Sequence, residues 1–261
     1  IVPNENVNAT IDDGVTSTVT QNQAVSSLTL NSGSEVEIND TFTLNVNGNI
    51  TNNGEFTSST GTGDGEVVLD GTTNQDLFGS GEYENLRLNN ANGADVISDT
   101  VINGVLEIDQ GTFTTNDDVT FPCDFSSSNN RVGQIGEVSG SISGDVITEQ
   151  CFPARRAFRL ISSSTTTTNS AVSTIQDNWQ EGATDYLDDP VPNSSTSGNF
   201  GFGTHITDVN NSQTDNSQNN GFDWQPSGNP SMFTFNESAQ DWNTVNNTDT
   251  NTLTAGEPYR L

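Results

Sequence analysis

The chain has 261 residues, enough for one large domain or two ordinary ones. It carries 35 acidic residues against six basic ones, all arginine, and a formal net charge of −29 would repel a phosphate backbone, so we expect no nucleic-acid partner. No apolar run reaches the length of a membrane-spanning helix, so we expect no membrane insertion. Residues 1–5 lack the basic head of a signal peptide, and we expect that any such peptide has been removed.

Short segments in which apolar and polar residues alternate follow one another through the first half of the chain. Such alternation is typical of β-strands that bury one face and expose the other. Asn-Gly, Ser-Gly and Asp-Gly turns separate the segments. The predicted strands cover residues 27–30, 35–38, 42–46, 49–51, 55–57, 66–69, 85–88, 95–97, 104–108 and 111–114.

Apolar residues also recur over a longer period of roughly 20 residues. The recurring pairs are Leu28 with Ile50, Val36 with Phe56, Leu44 with Val67, and Leu86 with Leu106, which are 22, 20, 23 and 20 residues apart. Three short strands in each period fit one turn of a parallel β-solenoid, in which the turns stack apolar face on apolar face. We therefore predict an all-β chain with a parallel β-solenoid (β-helix) domain at residues 1–148. An antiparallel sandwich is the alternative, and it predicts a less regular repeat and two-residue hairpin turns.

The second half of the chain has longer polar loops and most of the large aromatic residues. We predict an irregular, aromatic-rich β-sandwich-like domain at residues 149–261, which continues or pairs beyond the chain end. All three tryptophans, Trp179, Trp224 and Trp242, lie here. We expect them to fill the core, because this half is poor in large aliphatic residues. A sugar-stacking platform is the alternative, and two exposed coplanar Trp rings would distinguish it.

The two cysteines, Cys123 and Cys151, are 28 residues apart, a spacing unlike that of zinc or redox motifs. We predict a structural disulfide, with two unrelated buried thiols as the alternative. The separation is slightly more than one solenoid turn, so the cysteines can lie on stacked neighbouring strands. Such strands are about 4.8 Å apart, within the Cα–Cα reach of a disulfide.

No residue is predicted to be catalytic and no cofactor is expected. The single histidine, His205, has no evident nucleophile or orienting carboxylate, and a structural role in a turn is preferred. Asp208, Asp215 and Asp223 lie in a polar loop and are weak candidates for a structural Ca²⁺ site, since calcium prefers oxygen ligands. They lack the Asp-x-Asp-x-Asp-Gly pattern of a calcium loop, so a solvated loop is preferred.

Half of the basic residues cluster at Arg155, Arg156 and Arg159. An anion-binding site is one interpretation. The preferred one is that these side chains pair with carboxylates of the same chain, because the protein is strongly acidic.

Several motifs together resemble a known family. In the first half these are the Leu-Thr-Leu-Asn-Ser-Gly segment at 28–33 and the Gly-Asn-Ile-Thr-Asn-Asn-Gly-Glu-Phe segment at 48–56. In the second half they are residues 153–160, 178–181, 201–207, 221–223, 229–233 and 255–261. The chain resembles large secreted surface proteins of the Bacteroidota that leave the cell by the type IX secretion system. The resemblance covers nearly the whole chain.

This resemblance implies export and display at a bacterial cell surface, and it supplies no catalytic site. It also implies O-glycosylation, because Asp99-Thr100-Val101 matches the acceptor pattern of secreted proteins in these bacteria. Thr100 is therefore the candidate acceptor, and Thr41 and Thr250 match the pattern more loosely.

The sequence as a whole favours a non-enzymatic extracellular structural or adhesive protein. Its expected partners are other copies of itself, other domains of a longer surface protein, and surface glycans. An open solenoid end exposes unpaired strand edges, so assembly into a fibre is a further expectation. The alternatives are a β-helix polysaccharide lyase or glycosidase, for which no lysine is present, and a carbohydrate-binding module.

Overall fold

The structure, a computed structural model, describes residues 4–59, 63–124, 131–151, 160–168, 173–178, 232–245 and 250–260. The chain divides into two compact units, Ile1–Pro153 and Ala154–Leu261. In these described ranges, no helix is long and apolar enough to cross a membrane.

Unit 1 consists of short strands separated by tight turns, as the alternating segments and the Gly-containing dipeptides predict. The first three turns contain β1 (Ala9–Ile11), β2 (Thr16–Val19), β3 (Gln23–Val25), β4 (Leu28–Leu30), β5 (Glu35–Ile38), β6 (Thr43–Val46), β7 (Ile50–Asn52), β8 (Glu55–Ser58) and β9 (Glu66–Leu69). The next turns contain β10 (Gln75–Phe78), β11 (Glu82–Tyr83), β12 (Leu86–Asn89), β13 (Ala94–Val96), β14 (Thr100–Ile102), β15 (Val105–Gln110), β16 (Thr112–Thr114) and β17 (Val119–Phe121). The last five strands of unit 1 are β18 (Cys123–Asp124), β19 (Arg131–Val132), β20 (Gln134–Val138), β21 (Ser141–Ser143) and β22 (Ile147–Thr148).

Each strand pairs with its counterpart three strands further on, or five further on where β18 and β19 intervene, and this produces three parallel sheets. Sheet 1 has the order β1-β4-β7-β10-β13-β16-β21 and sheet 2 the order β2-β5-β8-β11-β14-β17-β22, while sheet 3 contains β3, β6, β9, β12, β15 and β20. All pairings within them are parallel. Unit 1 is therefore a parallel β-solenoid, and the prediction of this fold is confirmed.

The register of the sheets matches the spacing of the apolar residues in the sequence. The four recurring pairs, Leu28 with Ile50, Val36 with Phe56, Leu44 with Val67, and Leu86 with Leu106, are all direct partners on adjacent strands. A slip of one residue would turn the apolar side chains of a strand towards solvent. The pattern therefore specifies one register.

The interior of the solenoid is a column of apolar side chains closed at its corners by buried amides. Leu30, Val46 and Leu69 are fully buried, as are the inward residues of every middle turn. Gln75 is equally buried, and its Nε2 donates hydrogen bonds to the carbonyls of Val46 (2.9 Å) and Gly48 (2.6 Å). Corner carbonyls that the sheets do not use are thereby satisfied, which avoids the cost of burying them unpaired.

Unit 2, in its described part, contains one antiparallel sheet and a single helical turn. The elements are β23 (Leu160–Ser162), α1 (Ile175–Asn178), β24 (Phe233–Asn236), β25 (Asp241–Thr244) and β26 (Pro258–Arg260). Sheet 4 has the order β23-β26-β24-β25, with every pair antiparallel. A second sheet facing it is not among the residues that the structure describes. One face of sheet 4 packs on a small core of six residues, Ile161, Ile175, Met232, Val245, Leu253 and Tyr259.

Candidate functional site

The predicted disulfide between Cys123 and Cys151 is present, with Cα atoms 5.7 Å apart. It lies where the sequence placed it, beside two stacked strands, because Phe121 of β17 pairs directly with Thr148 of β22. The backbone N–H of Cys123 also donates a hydrogen bond of 3.1 Å to the Glu149 carboxylate. The bridge therefore ties β18, which follows β17, to the segment that follows β22, the last strand of sheet 2.

The candidate glycosylation site does not lie in solvent. Thr100 points into the solenoid, is 2% exposed, and donates a hydrogen bond of 3.0 Å from Oγ1 to the carbonyl of Ser98. A sugar on this hydroxyl would have to occupy the packed interior, so the folded solenoid is incompatible with Thr100 as an acceptor. The looser matches, Thr41 and Thr250, are both exposed. The three-residue acceptor motif does not specify on which side of the strand the hydroxyl lies. The alternation of side chains along the strand decides that.

Other predicted site residues lie outside the described residues. They are His205, the calcium candidates Asp208, Asp215 and Asp223, the arginines Arg155, Arg156 and Arg159, and the tryptophans Trp179 and Trp224. Within the described ranges, no group of three or more His, Cys, Asp or Glu residues is arranged to hold a metal ion.

The outer face of sheet 2 carries a column of carboxylates at its centre. Glu35, Glu55 and Glu82 are direct partners on β5, β8 and β11, so their backbones are one strand spacing apart. Neutral donors meet two of these groups: Thr57 Oγ1 donates to Glu35 at 2.8 Å, and Asn103 Nδ2 donates to Glu82 at 2.8 Å. Like charges at this spacing repel one another, and the hydrogen bonds offset part of that cost.

The outer face of sheet 3 carries the only ion-pair cluster among the described residues, centred on Arg87. Its guanidinium lies 3.0 Å from Glu66, 3.0 Å from Glu107 and 3.7 Å from Asp109. Burial raises the pKa of Glu66, and the attraction of Arg87 offsets only part of that rise. Burial alone would lower the pKa of Arg87, but the neighbouring carboxylates Glu66 and Glu107 raise it overall. The charge of Arg87 is thus offset by three carboxylates, and the cluster is a structural pairing.

A different arrangement occurs on the outer face of sheet 4, which we call the aromatic face. It is formed by Phe233, Phe235, Trp242 and Arg260, which point away from the core because they alternate with core residues such as Tyr259. The pairings bring Phe233 opposite Arg260 and Phe235 opposite Trp242. All four side chains are half-buried.

The Arg260 guanidinium is stacked on two of these rings. Its Cζ lies 4.2 Å from the centroid of the Phe233 ring and 5.1 Å from that of Trp242. The rings of Phe235 and Trp242 are in contact, with centroids 5.2 Å apart and an interplanar angle of 56°. Trp242, which we expected in the core, is thus part of a surface, while the core in the described part of unit 2 is mostly aliphatic.

The sequence contained a partial signal for this face. Phe233-Thr234-Phe235 alternates like a strand, and Trp242 follows in the next alternating segment. The contribution of Arg260 comes from a non-local pairing between β24 and β26, which residue order does not reveal.

The chain was compared with protein-family models, curated proteins and solved structures, and no match was found in any of the three.

Proposed function

We propose that this protein is a non-enzymatic structural or adhesive component of a bacterial cell surface. The observation that carries the proposal is the unbroken stacking of unit 1, where three parallel sheets share one apolar column. Each turn is held by its neighbours along the whole length, which suits a stiff spacer that extends a module away from a surface. The described inward side chains of unit 1 form this packed column.

Two further features support an extracellular location. The Cys123–Cys151 bridge is a bond that persists in oxidising compartments and is rare in the cytosol. The sequence motifs resemble type IX secretion substrates of the Bacteroidota, which are surface proteins. Export by this route is part of the proposal.

The competing proposal is a carbohydrate-active β-helix enzyme, and a turnover screen distinguishes the two. The purified chain is incubated with neutral and acidic polysaccharides, and new reducing ends and unsaturated products are measured. We expect no product above that of heat-denatured protein. Robust turnover of any polysaccharide would overturn the non-enzymatic proposal.

Assembly into a fibre is the finer part of the proposal. In the described part of the chain, β1, β2 and β3 each have a sheet neighbour on one side only, as do β20, β21 and β22 at the other end of unit 1. The last turn leaves inward-column residues uncovered: Ile135 is 39% and Val138 41% exposed. Open edges of parallel sheets accept further strands, and another copy offers strands of the same spacing.

A single substitution in an edge strand tests the fibre. The backbone N–H of Ala9 donates to the carbonyl of Ser27, directly before β4, so in the parallel ladder the N–H of Thr10 points to the open side. Thr10→Pro removes that donor and should abolish concentration-dependent growth in light scattering, while Thr29→Ala, on the same face but inside the sheet, should not. A wild-type chain that remains monomeric at high concentration would contradict fibre formation.

A further inference from the structure

The aromatic face differs from every other charged surface of the described chain in the state of its arginine. Arg87 is surrounded by three carboxylates, whereas Arg260 forms no salt bridge with any described residue. The Nε atom of Arg260 is buried and has no hydrogen-bond partner.

The contacts with aromatic rings hold the Arg260 guanidinium in place and leave N–H donors of this group without a partner among the described residues. The Arg260 Cζ lies over the rings of Phe233 and Trp242, and such a cation–π contact stabilises by about 0.5–2 kcal/mol. The N–H donors lie in the plane of the guanidinium, so stacking does not consume them. Since Nε is buried, the two Nη groups are the donors that Arg260 offers at this apolar surface.

We propose that Phe233, Phe235, Trp242 and Arg260 form a binding site for a neutral hexopyranose chain. A pyranose ring has apolar C–H faces and a rim of hydroxyl groups. The half-buried rings of Phe235 and Trp242 offer the apolar contact, and Arg260 donates to the hydroxyl oxygens. An apolar lining with a few fixed polar groups is the usual composition of a small-molecule or saccharide site.

The charge of the protein decides between a neutral and an acidic glycan. An acidic polysaccharide brings many carboxylates to a surface that offers one cation in this face and a net charge of −29 overall. At physiological salt the screening length is about 8 Å, so a polyanion lying along the protein would still meet its nearest carboxylates. A neutral chain has no such cost. This site would give the proposed adhesive function its ligand class, and the biological use of the site rests on that function.

Native gel electrophoresis in the presence of polysaccharides tests the site on the full chain. The probes are laminarin, galactomannan, hydroxyethyl cellulose and dextran as neutral hexose polymers, with alginate as the polyanion. We expect at least one neutral polymer to retard the wild-type chain and alginate to have no effect. Trp242→Ala and Arg260→Gln should each weaken binding by roughly tenfold or more, the equivalent of about 1.4 kcal/mol.

Matched controls separate a lost contact from a lost fold. Phe78→Ala removes a 36% exposed aromatic ring from unit 1, and Arg87→Gln removes an arginine that is already paired; both should bind like the wild type. Arg260→Lys keeps the charge but loses the planar donors, so it should bind more weakly than the wild type even where its thermal unfolding is unchanged.

The outcomes of this experiment are separable from those that bear on the proposed function. Absence of retardation by every neutral polymer, retardation by alginate alone, or full binding by a folded Trp242→Ala chain would each overturn the glycan site. A surface protein without glycan binding would leave the proposed function intact. Glycan binding by a protein that is not displayed at the surface would refute the adhesive role alone.

Discussion

At the scale of single residues, the hydroxyl group of Tyr83, on β11 of sheet 2, lies in the apolar interior of the solenoid. Tyr83 is 1% exposed and stacks on Phe56, with ring centroids 5.0 Å apart. Burial raises the pKa of Tyr83 far above its usual value, and the nearby Asn52 lowers it only slightly. The Tyr83 hydroxyl makes no hydrogen bond of ordinary geometry. The ring contributes packing, while its hydroxyl carries a desolvation cost.

This leads to a prediction for Tyr83→Phe. At neutral pH the variant should be as stable as the wild type or more stable by about 1 kcal/mol, since a buried unpaired hydroxyl is removed. The folded pKa of Tyr83 is raised, so its stability contribution is complete below the unfolded pKa of about 10 and is lost as pH rises above it. The variant should therefore lose less stability than the wild type between about pH 9 and 11 in urea titrations. A variant that is clearly less stable at neutral pH would show that the hydroxyl has a partner.

The disulfide gives a second prediction at this scale. Replacing both Cys123 and Cys151 by Ser frees a loop of 28 residues, and the chain-entropy model gives a loss of about 3–4 kcal/mol. The bridge lies beside β17 and β22, the last two strands of sheet 2, so amide exchange should accelerate most at these two strands and least in the middle turns. Identical melting of the two proteins, or two free thiols in the non-reduced wild type, would contradict the bridge.

At the scale of elements, the solenoid depends on corners where the backbone of one turn touches the next. A Cβ at Gly54 would collide with the backbone carbonyl of Ser34 in the preceding turn, and the Gly54 N–H already donates to Asn52 Oδ1 at 3.0 Å. The two turns can be stacked at one strand spacing only because no side chain lies between them. Asn53, the neighbouring residue, is exposed.

We therefore expect Gly54→Ala to destabilise the solenoid by about 1–3 kcal/mol through overpacking. Asn53→Ala, in the same corner, should change the free energy of unfolding by no more than about 0.5 kcal/mol. Both values come from urea unfolding followed by circular dichroism. Equal effects of the two substitutions would mean that the corner can open to admit a methyl group.

The elements of unit 1 could be predicted from the sequence because the same pattern of apolar residues recurs in each turn. Val36 and Phe56 show both a strand alternation and a turn period, and each further turn adds an independent test of the same register. The antiparallel pair β18 and β19 was not predicted, since it interrupts the sixth turn and belongs to no repeat. In unit 2, sheet 4 joins β23 to β26 across most of the unit, and no local pattern encodes such a pairing.

The candidate site was predictable only in part, for a similar reason. The Cys123–Cys151 bridge followed from a turn period that the sequence displays. The burial of Thr100 follows from its strand register, which a three-residue motif does not contain. The stacking of Arg260 depends on two strands that are distant in the chain, so only the three-dimensional pairing reveals it.

At the scale of the whole molecule, net charge dominates the response to solution conditions. A charge of −29 with a central column of Glu35, Glu55 and Glu82 repels itself, and salt screens that repulsion. We expect the melting temperature to rise by a few degrees between about 10 mM and 300 mM NaCl, since 1 kcal/mol corresponds to about 2–4 °C for a chain of this size. The Arg87 cluster acts in the opposite direction, but as a single half-buried cluster it contributes less. A melting temperature that falls with salt would show that attractive pairs outweigh the repulsion.

We propose that the chain acts outside the cell, as a stiff surface component. Immunogold labelling of intact, non-permeabilised cells that produce the protein tests it most directly, with antibodies raised against the purified chain. We predict gold particles on the outer surface of the envelope, or on fibres that extend from it, at the same density before and after permeabilisation. Labelling that appears only after permeabilisation would contradict the proposed location at the cell surface.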